Sequence, residues 1–131
     1  MFLLDTDICS AHLRCRPGLT HRFIQHGGRL FIGTPVLAEL HAWAYMREDA
    51  SPVLAGIAEL LGDLSVIDFD VRAAECFGQL RGALRRRGNA MAPMDLAIAA
   101  IALANDLTLV THNTGHFANV PEVRVLDWLA S

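Results

Sequence analysis

Five short apolar runs limit what this chain can fold into: Phe2 to Leu4, Leu30-Phe31-Ile32, Ser65-Val66-Ile67, Leu107 to Thr111 and Val123 to Leu126. Each is too short for a helix with a buried stripe, and the aliphatic character of most suits strands covered on both faces. Between them lie stretches of helical length. One runs from about Asp7 through Cys9, Ala11, His12 and Leu13. A second follows Pro17 and stops at Gly27-Gly28. Thr34-Pro35 reads as an N-cap and first-turn pair, opening a helix whose stripe is Val36, Leu37, Leu40, Trp43 and Ala44. Further helices are expected over Pro52 to Leu61, over Asp70 to Arg87 with Gly88 as the stop, and over Asp95 to Ala104, which is apolar almost all round and so belongs deep in the core. Strands alternating with helices predict an α/β fold around a parallel sheet.

At 131 residues the chain fits one domain, and no linker or repeat divides residues 1–131. Although 53% of the residues are hydrophobic, no apolar run approaches the ~18 needed to span a bilayer. The N-terminus lacks a basic region and a cleavage site, so no signal peptide is expected and the cytoplasm is the expected compartment. Cys9, Cys15 and Cys76 form no CxxC pair, which fits free buried thiols better than disulfides. The apolar excess points to a filled core plus a patch for a protein partner. A net charge of −3 does not describe a general nucleic-acid coat, yet all eleven basic residues are Arg, the side chain that grips phosphate bidentately.

The chemistry is carried by carboxylates in apolar settings. Asp5 closes Phe2-Leu3-Leu4, Glu39 sits among Val36, Leu37, Leu40 and Trp43, and Asp95 opens Leu96 to Ile101. Acids beside core-forming segments are costly unless paired, hydrogen-bonded or coordinating a cation. Taken singly, Asp5 reads as a turn residue, Glu39 as a boundary charge and Asp95 as a helix cap. Together, at element ends far apart in sequence, they predict one divalent-metal site. In parallel sheets ligands bind beyond the carboxyl ends of the strands, which is where Asp5 and Asn113 follow theirs.

These segments resemble a known family. Leu3-Leu4-Asp5-Thr6-Asp7-Ile8, Leu37-Ala38-Glu39-Leu40 and Asp95-Leu96-Ala97-Ile98-Ala99-Ala100 are similar, in order, to the motifs of PIN-domain ribonucleases. The closing stretch Leu109-Val110-Thr111-His112-Asn113-Thr114-Gly115-His116-Phe117, through to Asp127-Trp128, resembles that of VapC-type toxins. The resemblance covers nearly the whole chain. It implies a three-layer α/β/α sandwich with a mostly parallel five-stranded sheet. It also implies a Mg²⁺- or Mn²⁺-dependent endoribonuclease acting on tRNA or rRNA, a cognate antitoxin as partner, and a homodimer. By position Asp5, Glu39 and Asp95 match the core acids, and Asn113 stands where many members carry a fourth. Asp7, acidic where relatives commonly have Asn, reads as the first helix's N-cap or as part of the metal surroundings. Thr6 and Thr111 are candidates for holding the carboxylates or a phosphate.

Other groups stay open. Arg81, Arg85, Arg86 and Arg87 form the densest basic cluster, either a solvated helix end or a contact for RNA or antitoxin. His112 and His116 flank Asn113 without an HExxH pattern, so they read as solvent-facing loop histidines and not as a zinc site. Asp5-Thr6-Asp7 after a strand also resembles the nucleophile motif of haloacid-dehalogenase-type phosphatases, but those generally need a Lys and this chain has none. The remaining alternative is a catalytically idle PIN-like domain that only binds a partner.

Overall fold

In the computed structural model, which describes residues 1–130, five strands and six helices alternate along the chain. The strands are β1 (Phe2–Leu4), β2 (Leu30–Gly33), β3 (Ser65–Ile67), β4 (Thr108–Val110) and β5 (Val125–Leu126). The helices are α1 (Thr6–Leu13), α2 (Thr20–Gln25), α3 (Thr34–Tyr45), α4 (Ser51–Asp63), α5 (Val71–Arg86) and α6 (Pro93–Ala104). The sheet order is β3-β2-β1-β4-β5, and every neighbouring pair is parallel. The mostly parallel expectation thus becomes fully parallel. Strands are added outward from β1 to β3, after which the chain crosses back to lay β4 and β5 on the other side of β1. Because such crossovers are right-handed, this reversal puts α5 and α6 on the face opposite α1 to α4. The result is a three-layer α/β/α sandwich whose strand order reverses between β1 and β4.

The core is the sheet's two faces and the helix stripes pressed on them. Leu3, Leu4, Ile32, Leu109 and Val110 of the strands are buried against Ile8, Val36, Leu40, Ile57, Leu60, Ile98 and Ile101 of the helices. Helix α6 is buried on most of its circumference, as its all-round apolarity predicts. Burying a Leu or Ile contributes roughly 1.5–3 kcal/mol, so this packing fixes the strand ends to which the polar groups are attached. At the C-terminal corner buried Trp128 stacks on His26 and packs against Phe2 and Phe23.

Two local readings are corrected. Thr34 is not the cap of α3: the extended Gly33 is, with no side-chain bond, and β2 runs directly into the helix. A Cβ on Gly33 would stand 2.7 Å from Ile101 Cδ1, so any larger residue there requires the Ile101 side chain to turn aside. The Thr34 hydroxyl instead accepts from the Phe69 N–H at 3.1 Å, tying α3 to the segment before α5. Cys15 is exposed at a positive φ of 56° beyond α1, so only Cys9 is a fully buried thiol. No helix among the described residues is long and apolar enough to cross a membrane.

Candidate active site

The reversal of strand order opens a crevice at the carboxyl ends of β1 and β4, and both strands deliver a polar side chain there. Asp5 is the first residue after β1, and its backbone N–H donates to Val110 O of β4 at 2.9 Å. Its extended backbone makes it the N-cap of α1, with Oδ1 accepting from the Thr6 N–H at 2.7 Å. Its other oxygen accepts from the hydroxyl of buried Thr111, the first residue after β4, at 2.8 Å. Asp5 is only 6% exposed. Burial, with the charges of Asp7 and Asp95 adding to it, pushes its carboxyl up from 3.8 to about 6 against the pull of the Thr111 and Thr6 hydrogen bonds.

Asp7 is therefore not the cap of α1. One of its oxygens accepts from the Ile8 N–H at 2.8 Å, and the other accepts from the His112 N–H at 2.8 Å, 105 residues away. The Thr111 hydroxyl has a single proton, which serves Asp5 at 2.8 Å better than Asp7 at 3.4 Å. That hydroxyl oxygen also accepts from the Asn113 N–H at 3.1 Å. Asp5, Asp7 and Thr111 together brace the turn that carries Asn113.

Asp95 is the third residue of α6, whose cap is Ala92 without a side-chain bond and whose first residue is Pro93. The cap reading of Asp95 is thus excluded. Its carboxylate lies 3.2 Å from Nδ1 of His116, which is held in a 3₁₀ turn over Thr114–Phe117. Sequence reasoning missed this partner. The signal was the Asn113-x-x-His116 spacing, but only the tight turn brings that ring back to α6. His112 pairs instead with Asp127 at 3.0 Å, and Asp127 caps the backbone at Leu129 and Ala130. The two histidines are half-exposed, as expected of loop residues, and each pairs with a different acid. Glu39 is exposed midway along α3.

Asp5, Glu39, Asp95 and Asn113 line one open cleft of about 310 Å³, together with Thr6, Asp7 and His116. No Arg is among the lining residues, so only His116 can offer a positive charge there. Among the described residues no three His, Cys, Asp or Glu groups form a ready-made metal cluster. The acids are spaced around a common wall, as carboxylates that repel one another must be. This donor set nevertheless fits Mg²⁺ or Mn²⁺. A hard cation takes oxygen ligands, and Mg²⁺ typically uses one or two carboxylates while keeping several waters, which an open wall permits. Arg81, Arg85, Arg86 and Arg87 lie outside the cleft, at the end of α5.

Comparison with known proteins fits this geometry. Residues 2–123 match the family profile described as PIN domain. The tRNA(fMet)-specific endonuclease VapC of Shigella flexneri is 34% identical over 128 residues, covering 97% of both chains. Ribonuclease VapC2 of Haemophilus influenzae is 30% identical over 129 residues and 98% of both chains. Among solved structures, DNA-bound VapBC from Salmonella typhimurium superposes with a TM-score of 0.92 at 33% identity, covering 97% of both chains.

Proposed function

The chain belongs to the PIN-domain family, among the VapC ribonucleases, and from that premise we propose that it is a Mg²⁺- or Mn²⁺-dependent endoribonuclease that cuts tRNA and serves as the toxin of a toxin–antitoxin pair. The observation that carries the metal-dependent chemistry is Asp5, a buried carboxylate with its pKa raised to about 6, sharing a cleft with Glu39 and Asp95 and with no Arg lining it. Such a wall repels the phosphates of RNA unless a cation neutralises it.

Asp5, Asp95 and Glu39 would hold the ion. When bound, it supplies Lewis acidity toward a phosphoryl oxygen and activates water for in-line displacement. Asp5 enters this role already oriented, because Thr6 and Thr111 fix both of its oxygens. The ionised form of Asp5 would be favoured by a bound cation, against the upward pull of burial and of the Asp7 and Asp95 charges. His116 holds the Asp95 carboxylate toward the cleft through Nδ1, leaving its other ring nitrogen for RNA. Asn113, on the turn braced by Thr111, offers an amide oxygen or N–H to water or phosphate. Asp7 braces the same turn.

The named relatives support the rest of the reading. An endonuclease specific for tRNA(fMet) at 34% identity favours tRNA over rRNA. Solved VapBC complexes favour an antitoxin as the resident partner. The test is cleavage of purified tRNA and rRNA beside an Asp5→Asn control. Mg²⁺ should support cutting of tRNA, EDTA should abolish it, and the variant should be inactive. Equal cutting by parent and variant would overturn the reading.

A further inference from the structure

Beyond the acidic cleft, a second cavity of about 120 Å³ lies between α5 and the start of α6, lined by Arg81, Leu84, Arg85, Asn89, Met91 and Leu96 among others. Helical spacing places Arg81, Leu84 and Arg85 on one face of α5. The Arg81 guanidinium rests 5.0 Å over the Phe77 ring one turn earlier, which restrains it. Helix α5 ends at Gly88, whose φ of 73° turns the chain back so that the Asn89 N–H donates to Leu84 O at 2.9 Å. That turn places Asn89 among the residues lining the cavity with Arg81 and Arg85. Buried Leu84 and Leu96 form the floor. Leu96 directly follows Asp95, so the cavity and the acidic cleft flank the same first turn of α6.

Two features say what this cavity holds. No acid is among its lining residues, and neither Arg81 nor Arg85 takes part in a salt bridge among the described residues. Two forks of N–H donors plus a carboxamide, with no counter-charge, match a phosphate group. The space, about 120 Å³, accommodates a phosphate group. The geometry points to a phosphate subsite formed by Arg81, Arg85 and Asn89, which grips a backbone phosphate of the RNA flanking the scissile one. The subsite rests on the ribonuclease reading and adds to it: the cleft lacks Arg, so RNA must be anchored beside it.

The test separates the subsite from the chemistry. Arg85→Gln and Asn89→Ala are assayed on tRNA and on a dinucleoside monophosphate, whose single phosphate is the scissile one and leaves no flanking phosphate for the cavity. With tRNA, Arg85→Gln should raise KM about tenfold at physiological salt while kcat changes by less than about twofold, and should lower the slope of log KM against log salt by about 0.7–0.9. Asn89→Ala should shift KM in the same direction. Dinucleotide kinetics should not change, and Arg29→Gln, before β2 at the opposite edge of the sheet, should match the parent on both substrates. Unchanged tRNA kinetics, or a parallel loss on both substrates, overturns the subsite. So does an Arg85→Gln protein that binds tRNA normally but loses its antitoxin, since the surface then belongs to the protein partner. If the parent shows no metal-dependent cutting, the ribonuclease reading fails. Fluorescence anisotropy with tRNA, comparing Asp5→Asn with Asp5→Asn plus Arg85→Gln, then still decides the subsite: weaker binding by the second supports it and equal binding refutes it.

Discussion

Replacing Asp5 with Asn should stabilise the metal-free protein at neutral pH while destroying its activity. In the folded chain the Asp5 carboxyl is raised from 3.8 to about 6, chiefly by burial and then by Asp7. About two units correspond to about 3 kcal/mol by which folding disfavours the ionised form. The sign follows from proton linkage: the folded state holds the proton more tightly, so the cost is absent below about pH 4, grows through the interval and is complete above about pH 6. Asn carries no charge and escapes it. Against this stands the loss of one of the two acceptor bonds that Asp5 makes to Thr6 N and Thr111 Oγ1, worth about 1 kcal/mol since Asn also caps helices well. The net gain at pH 7.5 is about 1–2 kcal/mol, or a rise in Tm of about 3–8 °C for a chain of this size. Thermal unfolding followed by circular dichroism in EDTA at pH 7.5 and pH 4 measures it. At pH 4 the advantage should vanish or reverse slightly. A variant less stable than the parent by the same amount at both pH values would show that Asp5 is only a helix cap, and the reasoning from buried charge would fail.

Asp95→Asn should also abolish cleavage, and its metal-free Tm should equal or exceed the parent's, because Asp95 makes no capping bond that the change could remove. A clear fall in Tm would mean that the His116 pair outweighs the repulsion. Added Mg²⁺ at a hundred times its Kd should stabilise the parent by about 2.7 kcal/mol and leave Asp5→Asn nearly unmoved; equal stabilisation of both in denaturant titrations would place the ion elsewhere. Thr111→Val should cost about 1–2 kcal/mol in chemical denaturation, since it leaves Asp5 Oδ2 and Asn113 N without their partner. Gly33→Ala should destabilise by about 0.5–1.5 kcal/mol, the cost of turning the Ile101 side chain away from a methyl 2.7 Å from its Cδ1, and a loss well beyond that in the same assay would mean that the backbone itself must move.

Much of this was legible in the sequence, for reasons specific to its elements. The short aliphatic strands, the all-round apolar α6 and the Gly88 stop are local signals, and each governs its own segment. Asp5 and Asn113 could be placed at one edge because a parallel sheet sends its strand ends there, whereas Glu39 and Asp95, both on helices, were grouped with them by their apolar sequence context and the order of the motifs. What stayed hidden depends on partners distant in the chain. Nothing near Asp7 announces that it binds the His112 backbone 105 residues on, nor near Thr34 that it receives the Phe69 N–H. Glu39 lies among apolar neighbours in sequence, yet helical geometry turns it outward, so its apolar context was no measure of burial. His116 joined the site only through a turn too short to leave a periodic signal.

The central claim is that a divalent ion binds where Asp5, Glu39, Asp95 and Asn113 meet. Substoichiometric Mn²⁺ added to isotope-labelled protein tests it directly, because paramagnetic broadening of NMR signals falls off steeply with distance from the ion. Signals of Asp5, Thr6, Glu39, Asp95, Asn113 and His116 should broaden first. Those of Glu59 and Asp63, acids lining a different cavity, should persist, as should Arg124 and its partner Asp106. Broadening centred on Glu59 and Asp63, or spread evenly over surface acids, would contradict the account.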